Sequence, residues 1–166
     1  MAVREHADRF SIRTLVETGT YEGEMVEAVR KDFDAILSIE LDATLHENAR
    51  RRFAGDPHVT LVQGDSGVVL KELLARLDEP ALFWLDGHYS GGITAKAEFE
   101  TPIMKELENI YSHRWAKSHV ILIDDARCFD GRGDYPGIAA LEGSARAAGY
   151  DRFEVRDDMI RIFSSR

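Results

Sequence analysis

The chain has a single cysteine, Cys128, so an internal disulfide and a cysteine-built zinc cluster are both excluded. It has no apolar run of membrane-spanning length, and its N-terminal MAVREHADRF lacks the apolar core of a signal peptide. A cytoplasmic protein with no membrane partner is the expectation. Positive charge is in deficit: 21 Lys and Arg stand against 30 Asp and Glu, for a net charge of −9. Without a local basic patch, that balance argues against nucleic acid as a partner. The densest basic cluster, Arg50-Arg51-Arg52, reads as the polar end of a helix. Repeats, low-complexity segments and linker-like stretches are also lacking. Residues 1–166 are therefore expected to form one domain, a length that suits one hydrophobic core.

What is present is an alternation. Apolar, strand-like runs occupy 13–17, 35–40, 59–63, 81–86 and 119–124, and helical patterns lie near 23–32, 43–53, 67–77, 97–113 and 137–148. Such alternation predicts an α/β fold, a doubly wound, mostly parallel sheet with helices on both faces. The runs Ala35–Ile39, Ala81–Leu85 and Val120–Ile123 are almost continuously apolar, as in strands buried on both sides. Trp84 and Phe83 are therefore core candidates. Ile103, Leu107, Ile110 and Tyr111 have the spacing of a packed helical face. Gly149 is placed to cap the helix near 137–148. Phe153–Val155 and Met159–Phe163 flank Arg156-Asp157-Asp158 and predict a terminal hairpin, bringing an antiparallel strand to the sheet's edge and about seven strands in all.

Ligands of open parallel sheets bind at the carboxyl ends of the strands. Acids recur there: Glu17, Glu40, Asp86 and Asp124-Asp125 end four of the strands, and Gln63-Gly64-Asp65-Ser66 follows another. The first end is the most specific. Leu15-Val16-Glu17 runs into Thr18-Gly19-Thr20-Tyr21-Glu22-Gly23 and then into helix-forming sequence. A glycine turn between strand and helix offers a bare backbone and free N–H groups. An acid beside it suits a ligand with an ammonium group better than a diphosphate. Glu40, 21 residues beyond Gly19, stands where an acid accepts both hydroxyls of a ribose. The dinucleotide fingerprint G-x-G-x-x-G fails, because Tyr21 and Glu24 replace its second and third glycines.

On these residues the chain resembles the class I S-adenosylmethionine-dependent methyltransferases over nearly its whole length. Glu17-Thr18-Gly19-Thr20-Tyr21-Glu22-Gly23 looks like their E/D-x-G-x-x-x-G motif. The resemblance implies a turn through Gly19, Thr20, Tyr21 and Gly23 that meets the methionine part of S-adenosyl-L-methionine, with Glu17 nearby. It also implies Glu40 on the ribose, and Asp65 or Ser66 near adenine. A closer resemblance is to metal-dependent, catechol-type O-methyltransferases, in Val59–Ser66, Phe83-Trp84-Leu85-Asp86 and Leu122-Ile123-Asp124-Asp125. It implies a magnesium or other divalent ion on Asp86, Asp124 and Asp125, with asparagine more usual at the last position. Magnesium favours such sets, a few carboxylates with waters that substrate displaces. A bound divalent ion would lower the pKa of an acceptor hydroxyl.

The resemblance breaks at the general base. The family's lysine, three positions past the strand-four acid, is replaced by Tyr89. His88 is the candidate base, or a further metal or substrate contact, and Lys96 is the next candidate. The loops 87–95 and 126–137 are expected to act as lids or substrate walls, with Arg127, Arg132 and Tyr135 available to an acidic or sugar-like acceptor. Only about a dozen residues precede the first strand, so an open site, or a lid from a partner subunit in a homo-oligomer, is a further expectation. Cys128 reads as a spectator thiol. The expected function is O-methylation of a small hydroxylated substrate, such as a sugar or natural-product hydroxyl. A metal-independent methyltransferase and a non-catalytic cofactor-binding module are the alternatives.

Overall fold

A computed structural model describes residues 1–87 and 101–165. Its elements in order are α1 (Ala2–Phe10), β1 (Thr14–Thr18), α2 (Glu24–Val29), β2 (Ala35–Glu40), α3 (Ala43–Arg52), β3 (Val59–Gln63), α4 (Ser66–Leu74), β4 (Ala81–Leu85), α5 (Ile103–Ser112), β5 (Val120–Ile123), α6 (Ile138–Ala147), β6 (Arg152–Arg156) and β7 (Met159–Phe163). The seven strands form one sheet in the order β3-β2-β1-β4-β5-β7-β6. The pairs from β3 to β5 are parallel, and β7 is antiparallel to both its neighbours.

The all-apolar strands sit at the centre because both of their faces are covered. β4 and β5 are buried at every position. Their alternate side chains feed two separate cores. Val16, Phe83, Leu85, Ile121 and Ile123 pack with Leu70 of α4, Leu107 and Ile110 of α5, and Leu141 of α6. Leu15, Ile36, Leu82, Trp84 and Leu122 pack on the other face with Val3 and Ala7 of α1, Val26 of α2 and Ala49 of α3. Full burial of each large apolar side chain contributes about 1.5–3 kcal/mol. Among the described residues, no helix is long and apolar enough to cross a membrane.

Three features depart from the sequence expectation. α1 was not anticipated: its stripe is only Val3, Ala7 and Phe10, too short for periodicity to stand out. Its end is fixed by Ser11 in the left-handed region and by Ile12 N–H bonding to the Ala7 carbonyl at 2.9 Å. The antiparallel strand is not at the edge: β7 inserts beside β5 and leaves β6 outside. The hairpin turns through Asp157 and Asp158, both at positive φ, the two-residue turn whose twist matches the strands. β1 also runs one residue past Glu17, so that acid lies within the strand. The helix expected near 97–113 is seen as Ile103–Ser112. Gly149, at φ 93°, follows α6 as expected.

Candidate active site at the carboxyl edge

The strand order reverses between β1 and β4, and the glycine turn lies at that crevice. Gly19 and Thr20 both donate backbone N–H groups to the Ile39 carbonyl, at 2.9 and 3.2 Å, so the turn leans over β2. Gly19 has φ +84°, and a Cβ there would stand 2.5 Å from the Asp86 carbonyl oxygen. Only glycine lets the β1 and β4 tips approach this closely. Gly23 serves packing: a Cβ would meet the Phe53 ring at 2.7 Å. Tyr21 has a left-handed backbone, φ 49°, which aims its N–H at Glu40.

Glu40 is held from both sides. Its Oε2 accepts the Tyr21 N–H at 2.8 Å and its Oε1 accepts the Asp42 N–H at 2.8 Å. A carboxylate has about four acceptor directions, so each oxygen keeps one for a ligand. Asp42 in turn caps α3, accepting from Thr44 and Leu45. Local sequence, the strand end followed by a capping acid, builds the Asp42 side of this arrangement, and the turn after β1 supplies the Tyr21 side.

Glu17 is 1% exposed and is bonded by the Ser38 hydroxyl, which also meets Thr20 Oγ1 at 2.6 Å. Burial raises its pKa to about 8 against the Ser38 bond, with Asp86 and Glu40 adding repulsion. A buried acid in this state favours a cation at its side.

The loop after β3 is tied to β2 by the Gly64 N–H on the Glu40 carbonyl, 2.9 Å. Asp65 caps α4, its Oδ1 accepting from Gly67 at 2.8 Å. Ser66 is buried and donates its hydroxyl to Glu106 Oε1 at 2.6 Å. Glu106, 1% exposed, was missed by the sequence reading. Its signal was present: it lies on the apolar face of α5 between Ile103 and Ile110, where an acid is out of place. Burial raises its carboxyl to about 7, opposed by the Ser66 and Thr18 hydroxyls.

The β4 and β5 ends bring Asp86, Asp124 and Asp125 to one place. The Asp86 N–H bonds to the Thr18 carbonyl and the Asp124 N–H to the Leu85 carbonyl, at 3.0 and 3.1 Å. The Asp86 carboxyl is pushed up to about 7, by burial first and then by the charges of Asp124 and Asp125. The three carboxylates sense one another without forming a ligand cage: among the described residues, no group of three His, Cys, Asp or Glu side chains converges on a metal position. Asp125, at φ 53°, forms an ion pair with Arg127 at 2.6 Å. His88, Tyr89, Lys96 and most of the 87–95 loop lie outside the described residues.

The second loop is more built than expected. Arg127 pairs with Asp125 and Asp158, and Arg132 with Asp130 at 3.3 Å. Both arginines therefore already have acidic partners. Tyr135 packs edge-on against Phe129, centroids 5.5 Å apart, and Asp130 bridges Gly137. Cys128 is a free thiol, half-buried beside the core. Arg50 and Arg51 pair with Glu47 on their own helix, as expected of a helix's polar end.

Strand order, hairpin and edge together define a doubly wound, Rossmann-like fold of the kind seen in methyltransferases. The Podospora anserina methyltransferase PaMTH1, in its SAH-bound crystal structure, is similar over 99% of this chain and 77% of its own, with TM-score 0.66 and 18% identity. Streptomyces venezuelae DesVI is similar over 99% of this chain and 89% of its own, with TM-score 0.66 and 14% identity. The O-methyltransferase NcsB1 of neocarzinostatin biosynthesis, in complex with S-adenosyl-L-homocysteine and 1,4-dihydroxy-2-naphthoic acid, is similar over 99% of this chain and 56% of its own, with TM-score 0.56 and 14% identity. No family model and no curated protein matches the sequence. At these identities the likeness establishes the fold.

Proposed function

We propose that the chain is an S-adenosylmethionine-dependent methyltransferase that methylates a hydroxyl of a small acceptor, such as a sugar or natural product. One observation carries the reading: the Glu40 carboxylate, oriented by the Tyr21 and Asp42 N–H groups beside the Gly19 turn. Such a fixed acid suits the two hydroxyls of a ribose, and the adjoining turn is held against the β4 tip at a distance that only Gly19 allows. The bound cofactor supplies an electrophilic methyl on a sulfonium. The chain's residues bind and orient it: Glu40 takes the ribose hydroxyls, Asp65 and Ser66 face the base, and Glu17 offers a buried acid to the ammonium.

The reaction needs the acceptor oxygen in line with the S–CH3 bond, and positioning of this kind supplies up to roughly 7–11 kcal/mol in well-oriented systems. As the O–CH3 bond forms and the S–CH3 bond breaks, the acceptor's proton must leave. Asp86 stands at the β4 tip against the Gly19 turn, with a carboxyl near neutrality, and takes that proton. A second reading, a divalent ion on Asp86 and Asp124, is favoured by the mutual repulsion of the edge carboxylates. Magnesium is often held by one or two carboxylates and completed by substrate and water.

The test is calorimetry with S-adenosylhomocysteine, followed by methyl transfer across a panel of hydroxylated acceptors. Micromolar binding and transfer to oxygen are expected, with Asp86→Asn retaining binding and losing about 10²–10⁴-fold in kcat. Absence of binding sinks the proposal. Binding without turnover favours the non-catalytic module, and loss of turnover in chelator favours the metal-assisted reading.

A further inference from the structure

Glu106 lies apart from the Gly19 turn and Glu40, yet it touches Ser66 of the base loop, with Thr18 at the β1 tip and Gly87 past the β4 tip close by. Its Oε1 accepts the Ser66 hydroxyl at 2.6 Å. The Thr18 hydroxyl, buried at the β1 tip without a hydrogen-bond partner of its own among the described residues, lies close to the same carboxyl. A Cβ on Gly87, just past the β4 tip, would stand 3.3 Å from Glu106 Oε1 and 3.1 Å from Thr18 Oγ1. One turn further along α5, Asn109 Nδ2 donates to the Gly67 carbonyl at 3.1 Å. A Cβ on Gly67 would meet the Lys105 side chain at 3.2 Å. The first turn of α4 is therefore clamped onto α5, and the clamp's polar centre is Glu106 to Ser66.

This clamp fixes the direction of a hydrogen bond. A serine hydroxyl has one proton and two lone pairs. At pH 8, where most of the Glu106 carboxyl is ionised, the Ser66 proton is committed to it, so toward a ligand the Ser66 hydroxyl can only accept. Asp65, the other polar side chain of this loop, is an acceptor as well, with Oδ1 already taken by Gly67 N–H. A base placed against this loop meets acceptors from both residues. To bond to these two side chains it must present a donor. An exocyclic amine does so, whereas a carbonyl at the same position would set oxygen against oxygen.

We infer that Glu106 is a positioning residue which, by holding Ser66 as an acceptor, makes the base subsite select a 6-amino purine over a 6-oxo purine. The inference rests on the cofactor reading proposed above. It deepens that reading by assigning base selectivity to a residue 40 positions away from Ser66 in sequence.

The test compares S-adenosylhomocysteine with S-inosylhomocysteine by calorimetry at pH 8. Wild-type protein is expected to prefer the amino base by at least about tenfold, the size of one hydrogen bond to an acceptor. In Glu106→Gln the amide can donate to Ser66 and release its proton toward the pocket, so the preference should fall toward parity. Thermal unfolding of the variant guards against a merely structural loss, since lost packing would weaken both ligands alike and leave their ratio unchanged. Ser66→Ala, which needs no change in α5, should lower the same ratio, and the double variant should lower it no further. Equal wild-type affinities, or a Glu106→Gln ratio matching wild type, overturn the inference and leave the cofactor reading standing. Wild-type protein that binds neither ligand overturns both.

Discussion

At the residue scale the tightest constraint is Gly19. Its positive φ alone costs a substituted side chain about 1–2 kcal/mol. The Asp86 carbonyl, 2.5 Å from where a Cβ would be, adds a clash with backbone that has no flexible end to yield. Relief requires the turn to lift from β4, which also moves the Tyr21 N–H that orients Glu40. At about 2–4 °C per kcal/mol for a chain of this size, Gly19→Ala should therefore lower Tm by roughly 2–8 °C, and by more with the clash. It should also weaken S-adenosylhomocysteine by far more than stability explains, when measured at a temperature where the variant is folded. A variant with wild-type affinity would show that the turn does not build the cofactor site. Both Gly19 and Glu40 were legible in the sequence, because a strand end and the turn after it are local. Glu106 was less so: its role depends on Ser66, which reaches it only through tertiary packing.

At the element scale, the far ends of α4, α5 and β4 are joined by two histidines. His119 is 1% exposed, stands edge-on to Phe83, and accepts the Ala81 N–H on Nδ1 at 2.9 Å. Its proton is therefore on Nε2, where it faces His113 Nδ1 at 2.8 Å. Burial lowers the His119 pKa to about 3, with repulsion from His113 second, and burial lowers His113 too. The folded pKa values lie below the unfolded value of 6.5, so the pair's contribution is complete above pH 6.5. It is lost as pH falls below that, because the unfolded state gains protons first. Between pH 7 and 5 this loss opposes the gain from the buried carboxyls at the other end of the sheet, so in His119→Gln, which still accepts from Ala81, the urea midpoint should rise more steeply toward pH 5 than in the wild type. An unchanged slope in the variant would remove the histidines from the acid response. This junction was silent in the sequence, as was α1, whose short stripe acquires its meaning only against Phe163 of β7, with Phe10 and Phe163 centroids 5.4 Å apart. The strands were legible because two-sided burial leaves continuous apolar runs. The place of β7 inside β6 was not, because either strand of a hairpin can face the sheet.

At the scale of the whole molecule, buried acids gather at the functional edge of a chain with net charge −9. Glu17, Asp86 and Glu106 are pushed to about 8, 7 and 7, in each case with burial as the largest cause. The sign is opposite to that of the histidines. Folded carboxyls with raised pKa values keep protons that the unfolded chain has released above about pH 4.5. Their contribution is full below that pH and is lost as pH rises through about 7–8. Above pH 6.5 the histidine pair no longer changes, so the acids alone set the slope. The unliganded protein should therefore lose Tm steadily from pH 6.5 to 9. Glu17→Gln preserves the bond from Ser38 and removes the most strongly shifted of the three groups, so its decline should be shallower. Saturating S-adenosylhomocysteine should flatten the wild-type decline as well, because a ligand ammonium beside Glu17 compensates the buried charge. In Glu17→Gln the ligand should have less decline left to remove. If ligand and substitution instead act independently on the pH profile, the ammonium is not the partner of Glu17. The cofactor would then bind through Glu40 and the base loop, with its amino group placed elsewhere on the acidic edge.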